Sequence, residues 1–380
     1  MNPSTSACIR DLAWIKQQLQ SAIALECSTL PLYLSALFSL EVQSNTAYTA
    51  IRSVAMEEMV HMAIAANILS AIGGSPQIAR LNFGYPVTGL PGGVEPDLIV
   101  GLAKLSRAQL KNFLRIETPE FLLKQKDRGE AYPTIAVFYK QIRQAIVDDG
   151  DTVRAAMETG GPSNQVDDNI GFHAIKRPAG SDPLLQLLDG IDEILEQGEG
   201  AQSGSMFTGH GSEDEASHYN RFAEIFYGAA YQDPRPHTEM TISNEKEFYK
   251  GRRVPFPDVV NTLAVPADGY ARLLALDPDA ASVTADLIAF DSAFSSILAA
   301  LDAVWNGPET ASWKTLGGAV HSMVDLRVLS CFNLLRHKVP PDAARKIPEL
   351  YGDEATFLAK YSDLHAPLFY GPRFFNTNTP

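Results

Sequence analysis

Apolar residues recur at helical spacing through most of this chain, and the first such stripe carries a single charge. Over residues 7–42, Ile15, Leu19, Ala22, Tyr33 and Leu37 fall on one helical face together with Glu26. Pro31 lies inside that stretch and removes its own amide hydrogen bond, so a kink that frees the carbonyl of Cys27 is expected close to Glu26. A second stripe, over 46–72, places Glu58 and His61 among Val54, Ala65 and Ile68, and stops at Gly73-Gly74-Ser75-Pro76. A third helix is predicted over 181–202, capped by Ser181 with Pro183 in its first turn, with Leu184, Leu188, Ile191, Leu195 and Glu199 facing inward. A fourth, over 212–231, presents Glu215, His218, Phe222, Ile225 and Phe226.

The first two helices and the last two are each joined by a short loop, whereas 75–181 is a long excursion between the pairs. One long crossover of this kind is a known four-helix-bundle topology. The excursion reads as a Gly/Pro-rich loop over 84–96 followed by helical pieces over 106–126 and 134–147. Beyond the bundle, 234–258 reads as extended or loop, and helical patterns resume over 270–276, 281–305, 311–337 and 341–362. The expected fold is therefore all-α: a four-helix bundle over 1–232 that includes the 75–181 crossover insertion, and a C-terminal loop and helical extension over 233–380 packing on it.

Composition narrows the partners. A net charge of −14 over 380 residues argues against nucleic acid, which needs a basic face. Three scattered cysteines, Cys8, Cys27 and Cys331, fit neither a disulfide framework nor a thiolate metal site and suggest a reducing, cytoplasmic setting. The N-terminus has no basic region followed by an apolar core, and the most apolar segments, 30–40 and 54–72, are too short or carry Glu57, Glu58 and His61. Neither a secretory signal nor a membrane partner is expected.

The chemistry lies in the charges on the inner stripes. Glu58/His61 and Glu215/His218 are two Glu-x-x-His pairs, and Glu26 and Glu199 supply one carboxylate from each remaining helix. Four helices offering Glu, Glu-x-x-His, Glu, Glu-x-x-His make the ligand set of a carboxylate-bridged two-metal site. Glu58 and Glu215 would bridge, Glu26 and Glu199 would bind terminally, and His61 and His218 would give each ion one nitrogen, a donor set suited to two iron ions, to manganese or to a mixed pair. Burying that many carboxylates without a cation costs several kcal/mol each. Two positions have competitors. Ser212-x-x-Glu215 is also a capping box, and Glu196 lies near Glu199 but on a more solvated face. Tyr33 reads as a core tyrosine, a donor behind the ligands or a redox-active phenol; Glu57 points away from Glu58, and Glu117 and Glu120 read as a surface helix end or a cap over the site.

The segments 22–33, 57–62, 197–200 and 217–222 carry a resemblance to the ferritin-like domain family typified by the iminophenyl-pyruvate dimer synthase of bisindole pigment biosynthesis. Tyr370-Gly371-Pro372-Arg373-Phe374 resembles that family's closing Gly-Pro-x-Phe element. The resemblance implies a ferritin-like bundle with Glu26, Glu58, His61, Glu199, Glu215 and His218 as metal ligands, and it leaves the substrate open. The leading expectation is a non-haem di-iron oxidase or oxygenase that uses O2 on a small, amino-acid-derived molecule. The rivals are an imine-coupling enzyme, a metal-storage protein and a metal-free interaction module. A homo-oligomer is compatible with each.

Overall fold

The computed structural model describes residues 10–42, 45–123, 132–160, 165–166, 182–199, 207–208, 215–233, 235, 239–308 and 312–378, with backbone alone described at 160, 199, 207, 208, 215, 312 and 313. Helix α1, Leu12–Phe38, starts where the Asp11 carboxylate accepts the Trp14 amide at 2.9 Å. It runs unbroken through Pro31. Around the proline, the Ser28 and Thr29 hydroxyls donate back to the carbonyls of Leu25 and Glu26 at 2.7 and 2.8 Å, and the Tyr85 hydroxyl donates to the Ser28 carbonyl. Helix α2, Thr46–Ala71, is capped by Asn45. It ends as the sequence dictates, with Gly73 at φ 74° and the Gly74 amide donating to the Leu69 carbonyl at 2.8 Å.

The crossover differs from its expectation. Strands β1, Val87–Leu90, and β2, Val94–Val100, form an antiparallel hairpin where a loop was predicted. Pro91 begins the turn, Gly92 and Gly93 take φ of 76° and 78°, and Leu90, Val94, Leu98 and Val100 are buried. Then come α3, Arg107–Ile116, α4, Ile135–Asp148, and a helix the sequence reading missed, α5, Gly150–Gly160. These helices join the bundle: α4 packs against α1 and α6 (Pro183–Glu199), and α5 packs against α2 and α6.

The last bundle helix is shorter than expected. Strands β3, Phe207–Thr208, and β4, Glu215–Ala216, pair with Thr208 opposite Glu215, and α7 spans only His218–Tyr227. Its cap is Ser217, which accepts the Asn220 amide, and it stops at Gly228 with φ 79°. The helix predicted over 212–231 is thus corrected to ten residues, and Glu215 lies on a strand rather than on the helical face of His218. Helix α3 compensates for the missing turns: Phe113 meets Phe222 at 5.1 Å and Glu117 meets His218 at 3.5 Å, so α3 and α7 lie antiparallel.

Beyond α7, β5 (Ala229–Tyr231), where the end of the fourth helix was expected, pairs with β6 (Tyr249–Arg253), in the segment read as extended or loop. Helices α8, Ala271–Leu274, α9, Ala280–Asn306, and α10, Ser312–Val328, follow, and the single helix expected over 341–362 is split into α11, Pro341–Arg345, α12, Ile347–Tyr351, and α13, Glu354–Tyr361. Pro348 and Gly352, at φ 51°, mark the breaks. Both α1 and α9 are long and apolar enough to cross a membrane, yet the apolar window of α1 is 83% buried inside the protein and that of α9 50%, as in core helices.

One contact between α9 and α2 runs through a buried amide. Asn67 accepts the Trp305 indole at 2.8 Å and the Val166 amide at 3.1 Å, and donates to the Val166 carbonyl at 2.9 Å. Replacing it strands three buried polar groups. We expect Asn67→Ala to lower unfolding free energy by roughly 2–4 kcal/mol in urea titration, whereas an unchanged midpoint would show these bonds to be dispensable.

Candidate metal centre

Five side chains from four elements meet in the bundle interior. Glu26 comes from the middle of α1, Glu58 and His61 from one face of α2, Glu117 from the residue that ends α3, and His218 from the first turn of α7. All five are at most 6% exposed, so they are withdrawn from water together. Glu58, His61 and His218 each bring one ligand atom within 4.8 Å of the others. Glu58 Oε1 lies 2.9 Å and Glu117 Oε2 3.5 Å from His218 Nδ1, while Glu26 Oε2 lies 4.0 Å from His61 Nδ1. The two imidazole rings stack with centroids 5.2 Å apart and planes inclined by 25°.

The outer nitrogen of each imidazole is already engaged. His61 Nε2 faces the Gln197 side-chain oxygen at 2.7 Å, and His218 Nε2 faces Glu57 Oε2 at 3.0 Å. A carbonyl or carboxylate oxygen can only accept, so each Nε2 carries the hydrogen and each Nδ1 turns inward. His218 Nδ1 is buried without a hydrogen bond aligned to either nearby carboxylate, a donor atom awaiting a partner. Behind the carboxylates stand two phenols: Tyr139 donates to Glu26 Oε1 at 2.5 Å, and Tyr33 donates to Glu117 Oε1. Thr29 donates to Glu58 Oε2 at 3.2 Å. Phe113 and Phe222 pack on Tyr33 at 4.8 and 5.1 Å.

The acids do not share one charge state. Burial, reinforced by Glu58, raises Glu26 well above the usual carboxylate range; burial and Glu58 likewise raise Glu117. Burial also acts on Glu58 and Glu57, but the close His218 ring, with Arg221 assisting at Glu57, outweighs it and holds both at about 2. Burial depresses His61 to about 4, so its imidazole is neutral at neutral pH. At His218 burial is overcome by Glu117, Glu57 and Glu58, which raise its pKa well above the ordinary value. Without metal, the site therefore keeps itself tolerable by holding protons among its carboxyls and on His218.

A divalent cation fits this arrangement. Hard carboxylate oxygens with neutral imidazole nitrogens suit iron or manganese, and the outer bonds to Gln197 and Glu57 are the kind that orient metal-bound histidines. Arg221, which donates to Glu57 Oε1 at 2.6 Å and to Ser53 Oγ at 3.0 Å, holds the Glu57 carboxylate against His218. We expect Glu57→Gln to weaken ferrous binding about 10- to 100-fold with the fold intact, measured by competition with a chelator of known affinity. Equal affinity in the variant would show that the Glu57 charge does not support His218.

Of the residues singled out from sequence, Glu26, Glu58, His61 and His218 are brought together here, with Tyr33 one hydrogen bond away through Glu117. Glu199 ends α6 and Glu215 lies in β4; their side chains fall outside the described residues, as does the choice between Glu199 and Glu196. Glu117, read as a surface helix end, is 6% exposed and faces His218, and Glu57, read as pointing away, holds the same ring from behind. One signal for Glu117 was present: an acid at the C-terminal end of a helix opposes the helix dipole.

A ferritin-like family model matches residues 19–227, more than half of the chain. The chain belongs to the ferritin-like family. The match ends at the last residue of α7, so it takes in all five site residues. A crystal structure of a ferritin-like protein from Caulobacter vibrioides superposes on this ferritin-like chain with a TM-score of 0.57 at 21% identity, over 84% of this chain and 96% of that one. That likeness extends the shared fold beyond the bundle into the C-terminal helices. No curated protein matches the chain.

Proposed function

We propose that this ferritin-like protein is a non-haem dimetal oxidase or oxygenase, most suited to iron, that uses dioxygen on a small organic molecule. The sequence resemblance to the pigment dimer synthase points to an amine or imine derived from an amino acid. The observation that carries this reading is the convergence of three carboxylates and two inward Nδ1 atoms in one buried site. Glu26, Glu58, His61, Glu117 and His218 would hold the metal, and Glu199 and Glu215 remain further ligand candidates.

Two ferrous ions, when bound, supply the electrons for reducing dioxygen. The protein's own part is orientation and proton control. Gln197 and Glu57 keep the hydrogens of His61 and His218 on the outer nitrogens, leaving both inner lone pairs for metal. Tyr139 and Tyr33 orient Glu26 and Glu117 while their hydroxyl hydrogens remain within reach of the carboxylates. The Phe113 and Phe222 rings shield the Tyr33 side from water.

Metal analysis of protein purified without chelator, followed by anaerobic ferrous loading and O2 exposure under absorption spectroscopy, tests the reading. We expect about two metals per chain and a spectral change on O2 addition. Fewer than one metal per chain, with Glu58→Ala and His218→Ala behaving as wild type, would sink the assignment. Oxidation of many ferrous ions per chain would identify a storage protein instead.

A further inference from the structure

Beside the site, the end of α3 and the inner faces of α4 and α6 border a partly open niche of about 20 Å³. Its walls are mostly apolar, formed by Ile116, Ile135, Ala136, Ile194 and Leu195. Its polar wall comprises Thr118, Glu117 and Tyr139, and the last two belong to the site: Glu117 Oε2 stands 3.5 Å from His218 Nδ1, and Tyr139 is bonded to Glu26.

We infer that this niche is a binding site for a small apolar gas, which under the oxidase reading above, on which the inference rests, is dioxygen. Size decides the class of ligand. Space for one water-sized molecule needs roughly 10–15 Å³, so the niche admits a molecule of one or two heavy atoms, whereas organic ligand pockets run to several hundred Å³. Polarity decides between water and gas. A water needs two to four open polar partners, whereas the three polar groups of the niche are already engaged, Glu117 with Tyr33, Tyr139 with Glu26 and Thr118 with the Leu114 carbonyl at 2.7 Å, so an apolar molecule is favoured.

Gly198 is among the residues that line the niche. It sits within α6, one residue after the Gln197 that bonds His61, and a glycine there weakens the helix by roughly 1 kcal/mol relative to alanine. Neither backbone nor packing among the described residues requires it: its φ is not left-handed, and a methyl group at this position meets no described atom within 4 Å. Because Gly198 lines the niche, a larger side chain there narrows its mouth. Gly198 is thus a specificity-determining position, and a larger residue there can be introduced without a clash and with better helix propensity.

The test is xenon pressurisation of crystals of the full chain, wild type and Gly198→Leu, combined with stopped-flow O2 mixing of the ferrous-loaded proteins. Xenon density between α3, α4 and α6 is expected in the wild type and not in Gly198→Leu, and ferrous oxidation is expected to slow at least about tenfold in Gly198→Leu, with metal stoichiometry unchanged and Gly198→Ala intermediate. Absence of xenon from the wild-type niche overturns the inference. So does xenon binding with ferrous oxidation equally fast in Gly198→Leu. If the niche takes xenon but the wild-type ferrous protein is inert to O2, the gas site stands and the oxidase reading fails.

Discussion

Glu26→Gln is expected to lose ferrous binding at its own metal position while leaving the metal-free protein at least as stable as wild type. A glutamine keeps an oxygen to accept the Tyr139 hydroxyl, which lies 2.5 Å from Glu26 Oε1, so the hydrogen bond survives. What disappears is a carboxyl that burial and Glu58 hold far from its ordinary ionisation, in a pocket only 1% exposed. Replacing a buried carboxyl whose ionisation the site already opposes by its neutral isostere is neutral or stabilising, whereas removing a structural partner costs several kcal/mol. The two measurements belong together: metal per chain after anaerobic loading, and the urea midpoint of the chelated protein at pH 7 and 8. A residue kept for stability alone would give the opposite pattern, with a lower midpoint and unchanged metal content.

The metal-free protein is also expected to lose stability as pH rises from mildly acidic to alkaline, and metal to restore it. Burial and Glu58 raise Glu26 and Glu117 above the ordinary carboxylate value of 4.5, while at His218 the three surrounding acids outweigh burial and raise it above 6.5. A raised group stabilises the folded state fully below its unfolded pKa, and that contribution fades as pH climbs through the folded value. Glu57 and Glu58, at about 2 in the folded state, act in the other window: their contribution is present above 4.5 and is lost as pH falls toward 2. His61, depressed to about 4, likewise gains stability as pH rises toward its ordinary 6.5, so from about pH 6.5 upward the raised groups set the slope. A metal ion replaces their protons, so binding releases protons and strengthens with pH. At a ferrous concentration about 1,000 times the dissociation constant, the gain is roughly 4 kcal/mol, or about 5 °C for a chain of this size. Scanning calorimetry of chelated and loaded protein between pH 5.5 and 8.5 would show the gap widening with pH; a constant gap would mean that the site does not exchange protons for metal.

Four of the site residues were legible because each breaks an apolar stripe. Glu26 is the one charge on the buried face of α1, and Glu58 and His61 share the buried face of α2. His218 stood out through Glu215, although the spacing that drew attention to it is not helical in the structure, since Glu215 pairs with Thr208 across two strands. A sequence pattern can thus point to the right histidine through the wrong local geometry. The excursion was less legible. Its hairpin, the missed α5, and Glu117 depend on where the crossover lies against the bundle rather than on any period of its own.

The chain's own pattern settled what is decided locally: long helices with caps at Asp11 and Asn45, the stop at Gly73, and charges on stripes that must be buried. Helical spacing fixes which residues share a face, and burial of that face follows from the hydrophobic effect. Which element completes the site was decided only in three dimensions. With α7 starting at His218, α3 lies antiparallel to it and delivers Glu117, while Glu57 and Gln197 reach the backs of the two imidazoles from α2 and α6. Distances of 2.7 to 3.5 Å between residues more than 100 positions apart come from packing, and no periodicity along the chain encodes them.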